Sequence, residues 1–260
     1  MTIAYEPDRS LKGKLRRRLV RLAHRRPLTR GPERPILSIS FDDAPATAAF
    51  AGARILEARG LRGTYYVSAS LAGQPAPMGI CATGEDYRRL AEAGHEIACH
   101  TYSHLDCGQA TGDEAMGDCE RNLAQLDQWS VDPVCSFAFP YGDVAAGPKQ
   151  RLAERFATLR GLHHGVIAAG TDLNQLPAVG IEGAGGEATA LSWLGVAAAR
   201  PAWLILYTHD VAEQPSAWGA TPASLERIID RALELGFEIE TVGRVTQTLL
   251  GGFETGRLVA

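Results

Sequence analysis

Pro35-Ile36-Leu37-Ser38-Ile39-Ser40-Phe41-Asp42-Asp43 is the stretch that decides the fold. Its apolar side chains alternate with serine at period two and stop at a pair of carboxylates, so it reads as a strand over 36–41 that runs out into an acidic loop. A helical stretch over 46–59, closed by Gly60, follows it. Further strands are predicted at 63–67, 96–99, 136–139, 157–160, 203–207 and 237–239, and helices at 85–93, 111–129, 149–156, 187–199, 221–235 and 243–250. Seven strands alternating with helices build a parallel sheet covered by helices, an α/β fold that is either a barrel or a doubly wound sheet.

Composition agrees with one such domain. The chain has 260 residues, 45% hydrophobic and 22% charged, which excludes disordered, collagenous and coiled-coil classes. No apolar run approaches the ~20 residues of a membrane span; the most apolar stretch, 191–207, is broken by Arg200-Pro201. Residues 1–34 carry eleven Lys/Arg, three Asp/Glu and only scattered leucines, without the continuous apolar core of a secretory signal. Five cysteines, Cys81, Cys99, Cys107, Cys119 and Cys135, show no CxxC spacing and suit reduced thiols. A cytoplasmic location is the expectation.

The net charge of −4 hides an asymmetry, because residues 1–34 carry +8 and residues 35–260 carry −12. Leu11, Leu15, Leu19 and Leu22 recur at helical spacing among Lys12, Lys14, Arg16, Arg17, Arg18, Arg21, Arg25 and Arg26. Such a helix either touches an anionic membrane, an acidic polymer or an acidic partner through residues 11–30, or packs its leucines on this domain or on a second copy in a homodimer. The acidic body argues against nucleic acid. Three segments are expected: a basic extension 1–34, a catalytic domain 35–250 and a tail 251–260.

In a barrel, reactive residues stand where strands run out. Strand ends here deliver Asp42-Asp43, His100-Thr101-Tyr102-Ser103-His104, Pro140-Tyr141-Gly142 and His209-Asp210. Each has a bland reading: an Asp pair caps helices, Pro-Tyr-Gly makes turns, and a lone histidine sits satisfied in cores. Together they provide two imidazoles and a carboxylate, the donor set of a catalytic metal site, with an aspartate to spare. The spacing of His100 and His104 predicts both on one face of a helical turn.

Ser40-Phe41-Asp42-Asp43, His100-Thr101-Tyr102-Ser103-His104, Phe139-Pro140-Tyr141-Gly142 and Leu206-Tyr207-Thr208-His209 resemble the successive motifs of NodB-type polysaccharide deacetylases, carbohydrate esterase family 4. The resemblance spans about 35–250. It implies a distorted (β/α) barrel, one divalent metal ion and hydrolysis of N-acetyl groups on amino sugars. Carried onto this sequence, Asp43, His100 and His104 would hold the metal, with Zn²⁺ the first expectation and Co²⁺ or Ni²⁺ fitting as well. Asp42 would be the base, His209 the acid, the Tyr141 N–H beside Pro140 an oxyanion donor, and Leu206 part of the acetyl pocket.

Two positions depart from the family pattern. Many members carry an arginine where this chain has Ala138, and Arg160 is the candidate replacement for orienting the base. The residue that orients the acid histidine is not evident, and Asp172, His163 and His164 are its candidates. The stretch Tyr207-Thr208-His209-Asp210-Val211 with Pro215-Ser216 further resembles a bacterial branch that deacetylates holdfast exopolysaccharide. The expected activity is therefore removal of N-acetyl groups from N-acetylglucosamine-type residues of an exopolysaccharide or its precursor. Alternatives are deformylation or deacylation of a lipid-linked sugar, and a non-catalytic saccharide-binding role.

Overall fold

The computed structural model describes residues 11–131 and 133–251. Residues 1–10 of the basic extension and the tail beyond Gly251 lie outside the described residues, as do the side chains of Leu11, Lys12 and Lys14. The strands of the main sheet are β1 (Ile36–Asp42), β2 (Thr64–Val67), β3 (Glu96–Cys99), β4 (Ser136–Ala138), β5 (Thr158–Arg160), β6 (Val179–Gly180), β7 (Trp203–Thr208) and β8 (Glu238–Ile239), and Pro75–Ala76 pairs with Gly79–Ile80 in a separate small hairpin. They pair in parallel in the order β5-β4-β3-β2-β1-β7-β6, with β8 against the start of β1. Seven parallel strands side by side form a curled half-barrel. Leu173 and Leu176 bond to the outer edge of β5 on the way into β6, bringing the two margins of the sheet together.

The helices are α1 (Leu11–Val20), α2 (Ala53–Glu57), α3 (Gly84–Glu92), α4 (Gly112–Gln128), α5 (Ala146–Leu152), α6 (Gly186–Ala199), α7 (Pro222–Glu234) and α8 (Val242–Leu250). Their starts are written in the sequence. Thr83 with Asp86 and Thr111 with Glu114 form capping boxes at α3 and α4, and Thr221 and Thr241 cap α7 and α8. The predicted helix 46–59 is divided, with a π-helical turn at Ala48–Gly52 leading into α2.

Every residue of β1 is buried, as befits a parallel strand covered on both faces. Leu37, Ile39 and Phe41 pack with Leu204 and Leu206 against the apolar faces of α4, α6 and α7 in one large core. The opposite face of the same strands presents Ser38, Ser40 and Asp42 to the barrel interior, beside Tyr66, Ala98, Ala138 and Tyr207. All five cysteines are free thiols, four of them buried.

Candidate active site

The strand ends converge on one rim. Asp43, His100 and His104 bring three ligand atoms within 4.8 Å of one another. His104 Nε2 stands 3.2 Å and His100 Nε2 3.8 Å from Asp43 Oδ1. Donors around a single small dication at ~2.1 Å are separated by about 3.4 Å in a tetrahedral shell, so these spacings suit one ion. Asp43 Oδ1 is buried and accepts no hydrogen bond, an arrangement that is costly unless a cation answers it. His100 Nδ1 lies 2.8 Å from the Ala138 carbonyl, which requires its proton there and leaves the Nε2 lone pair facing Asp43. Burial and the neighbouring His104 push the His100 pKa down to about 4, so the ring is neutral, the form a metal requires, at physiological pH. The donor set fits a divalent metal.

The expected helical turn over His100–His104 is corrected. Thr101 (φ 62°) and His104 (φ 56°) are left-handed, so the segment is an irregular loop. Asp118 of α4 braces it by accepting hydrogen bonds from Tyr102 N (2.8 Å) and Ser103 N (2.9 Å). Asp43 (φ 55°), Ala44 (φ 40°) and Tyr141 (φ 59°) are left-handed as well. Five of the seven non-glycine residues with this conformation among the described residues therefore stand at the site. Each such residue costs on the order of 1–3 kcal/mol, and the enclosing fold holds it there.

Asp42 occupies the inner face at the end of β1, where Arg160 Nη2 donates to its Oδ1 at 2.6 Å. Burial alone would raise the Asp42 carboxyl; the Arg160 guanidinium, aided by His100 and His209, outweighs burial and holds it below the usual carboxylate range. Asp42 is therefore held in its ionised form. Arg160 is itself clamped between two rings, 4.6 Å from the Tyr66 centroid and 5.3 Å from that of Tyr207. It thus stands where an arginine on the preceding strand, at Ala138, would be expected to point.

His209 follows β7, and its Nδ1 lies 2.9 Å from Glu182 Oε1. Burial opposes charge on this ring, but Glu182 together with Asp42 and Asp43 reverses the balance and pushes its pKa up to about 9. A protonated imidazole near neutral pH is a ready proton donor. Asp210 turns away and accepts from Ser216 N at 2.8 Å, holding the following loop.

Pro140 opens a 3-10 turn in which Tyr141 and Gly142 both have positive φ. A β-carbon on Gly142 would sit 2.5 Å from Leu162, so only glycine fits this turn. The Tyr141 ring packs edge-on against His104, 4.5 Å between centroids, which sets the turn beside the metal donors.

Two sequence expectations are corrected. Leu206 does not line the site: it points into the helix-side core, and strand alternation gives the inner position to Tyr207. Asp172 does not orient His209; its carboxylate accepts from Lys149 Nζ at 2.7 Å and from Arg26 N at 2.9 Å, tying the N-terminal segment to the barrel. Of the alternatives, His164 packs on Trp193, and His163 lies beside the cavity under α1. Glu182 holds the His209 ring instead. Its signal was positional, since it follows a strand end, but β6 is only two residues long.

Comparisons with known proteins bear on the fold. Residues 29–155 match the polysaccharide deacetylase family model. No curated protein matches the chain in sequence. Its fold is similar to that of the chitin deacetylase of Colletotrichum lindemuthianum, at 16% identity over 89% of this chain and 95% of that one, TM-score 0.60. A family 4 acetyl xylan esterase of Clostridium thermocellum solved with cobalt is similar at 19% identity, covering 84% and 93%, TM-score 0.59. A family 4 pseudoenzyme of Bacillus anthracis is also similar, at 12% identity over 84% and 68%, TM-score 0.53.

Proposed function

We propose, for a chain whose residues 29–155 match the polysaccharide deacetylase family model, that it is a metal-dependent hydrolase removing N-acetyl groups from N-acetylglucosamine-type residues of an exopolysaccharide or its oligosaccharide precursor. The observation that carries the reading is the Asp43–His100–His104 donor set standing with the Arg160-held Asp42 and the Glu182-held His209 on one rim. The fold alone does not carry it, because a pseudoenzyme shares that fold. What favours catalysis is that a base, an acid and a metal donor set are all present and each has its supporting partner.

Asp43, His100 and His104 would hold the ion, with Zn²⁺ preferred for a two-imidazole, one-carboxylate set and Co²⁺ or Ni²⁺ able to replace it. When bound, the ion supplies Lewis acidity toward the amide carbonyl and makes water more acidic. The chain's own groups do the rest. Asp42, ionised and fixed by Arg160, accepts the proton of the attacking water. The turn at Pro140–Gly142 offers the Tyr141 N–H to the tetrahedral oxyanion, an interaction worth about 3 kcal/mol where such a donor is well aimed. His209, charged and steered by Glu182, protonates the departing amine, which is otherwise too basic to leave. Tyr207 rather than Leu206 faces the interior where the acyl group would lie.

Acetate released from N-acetylglucosamine oligomers by the metal-loaded chain tests the reading. Formate released from an N-formyl sugar, with no acetate from the acetyl analogue, would replace it by the deformylase alternative.

A further inference from the structure

The N-terminal helix has two unlike sides. One is fastened to the domain: Gly13 and Val20 are buried, Arg16 bonds to Gly108 O and to Asp143, Arg17 lies 3.7 Å from Asp143, and Lys149 Nζ donates to Val20 O at 2.8 Å. The other side is bare. Leu15 and Leu19 are each 57% exposed and Leu22 is 73% exposed. Arg18 is exposed between them; Arg21 and Arg25, past the end of α1, are exposed as well, Arg21 at the edge of the cavity under the helix and Arg25 donating to Gly170 O at 2.9 Å, and residues 11–30 contain nine Lys/Arg and no Asp/Glu. The sequence left open whether the leucines pack on this domain; the structure shows that Leu15, Leu19 and Leu22 do not.

We propose that this face docks on an anionic lipid bilayer. The reason is the pairing of two demands in one surface. Three leucines at spacings of four and three need an apolar phase, and the interleaved arginines need fixed negative charge at the same depth. The boundary between phosphate headgroups and acyl chains meets both demands. A polyanion in water meets only the second, and an apolar groove only the first. The helix is also anchored beside the catalytic rim, because Asp143, which Arg16 and Arg17 grip, directly follows the Pro140–Gly142 turn. A chain lying on a bilayer through α1 therefore holds that turn close to the lipid surface. The proposal concerns docking alone and stands whether or not the reaction is deacetylation.

The test is flotation of the full chain with phosphatidylglycerol-rich and with pure phosphatidylcholine vesicles. Binding is expected to the former only, to weaken as salt is raised, and to fall roughly fivefold for each exposed arginine removed. The triple variant Leu15→Gln/Leu19→Gln/Leu22→Gln is expected to lose binding while keeping the wild-type thermal midpoint, which separates lost docking from lost folding. Undiminished binding of that variant, or no binding of the wild type, would overturn the proposal. So would a wild type that sediments as a dimer and ignores vesicles beside a monomeric variant, because a second copy would then own the face.

Discussion

Arg160 and Asp42 form a buried ion pair at 2.6 Å across the barrel interior, joining the end of β5 to the end of β1. Their side chains are 1% and 4% exposed, so neither charge has water to fall back on. Removing one member should therefore cost far more than deleting a surface pair. Arg160→Met is expected to lower stability by about 3–5 kcal/mol, read from urea denaturation. The double variant Arg160→Met/Asp42→Leu should recover much of that loss, since it buries no lone charge. A single variant as stable as wild type would show that the pair is not buried as described.

The same pair sets an acid limb. The Asp42 carboxyl is held below its ordinary range, so the stability and activity that depend on its ionised form are present above the unfolded carboxylate value and are lost as pH falls through the depressed one. Arg160→Met is expected to move the acid limb of kcat/KM upward.

His209 sets the opposite limb. Its folded pKa of about 9 lies above the ordinary 6.5, so its protonated form is fully populated below 6.5 and is lost as pH rises through 9. Glu182→Gln removes the main partner holding that proton. The alkaline limb of the pH–rate profile should then move toward neutrality, while the acid limb stays where Asp42 puts it. An unmoved alkaline limb would show that Glu182 does not steer the acid.

The metal donors give a readout independent of catalysis. Excess Zn²⁺ or Co²⁺, at about a hundred times Kd, should add about 2.7 kcal/mol to the wild type and raise its thermal midpoint. Asp43→Asn should show no such response, since it turns a buried acceptor oxygen that lacks any donor into a weak ligand. Asp118→Ala should loosen the His100–His104 loop that it braces and weaken metal binding by 10–100-fold.

Much of this site was legible from strand ends. Asp42 ends a strand whose periodicity is plain, Asp43, His100, His104 and His209 follow strands, and a parallel sheet sends all such ends to one rim. Arg160 was found the same way. Glu182 was not, because it follows a two-residue strand inside the irregular stretch between β5 and α6. Asp172 was misassigned since its partner, Lys149, lies on a separate helix and no local pattern joins them. The resemblance points to Leu206 whereas Tyr207 turns inward; β7 is buried on both faces, so its sequence does not say which side chain faces the interior. The i, i+4 spacing of His100 and His104 suggested a helical turn. Left-handed Thr101 and His104 bring the two rings together by another route, and no composition rule reports that.

Acetate release from N-acetylglucosamine oligomers, compared between metal-loaded wild type, chelator-treated wild type and metal-loaded Asp42→Asn, tests the central claim most directly. Release is expected from the first alone, with the substitution costing at least about a hundredfold in kcat. A metal-loaded wild type that releases nothing, or an Asp42→Asn variant as fast as wild type, would contradict the claim that this rim is an N-deacetylase centre with Asp42 as its base.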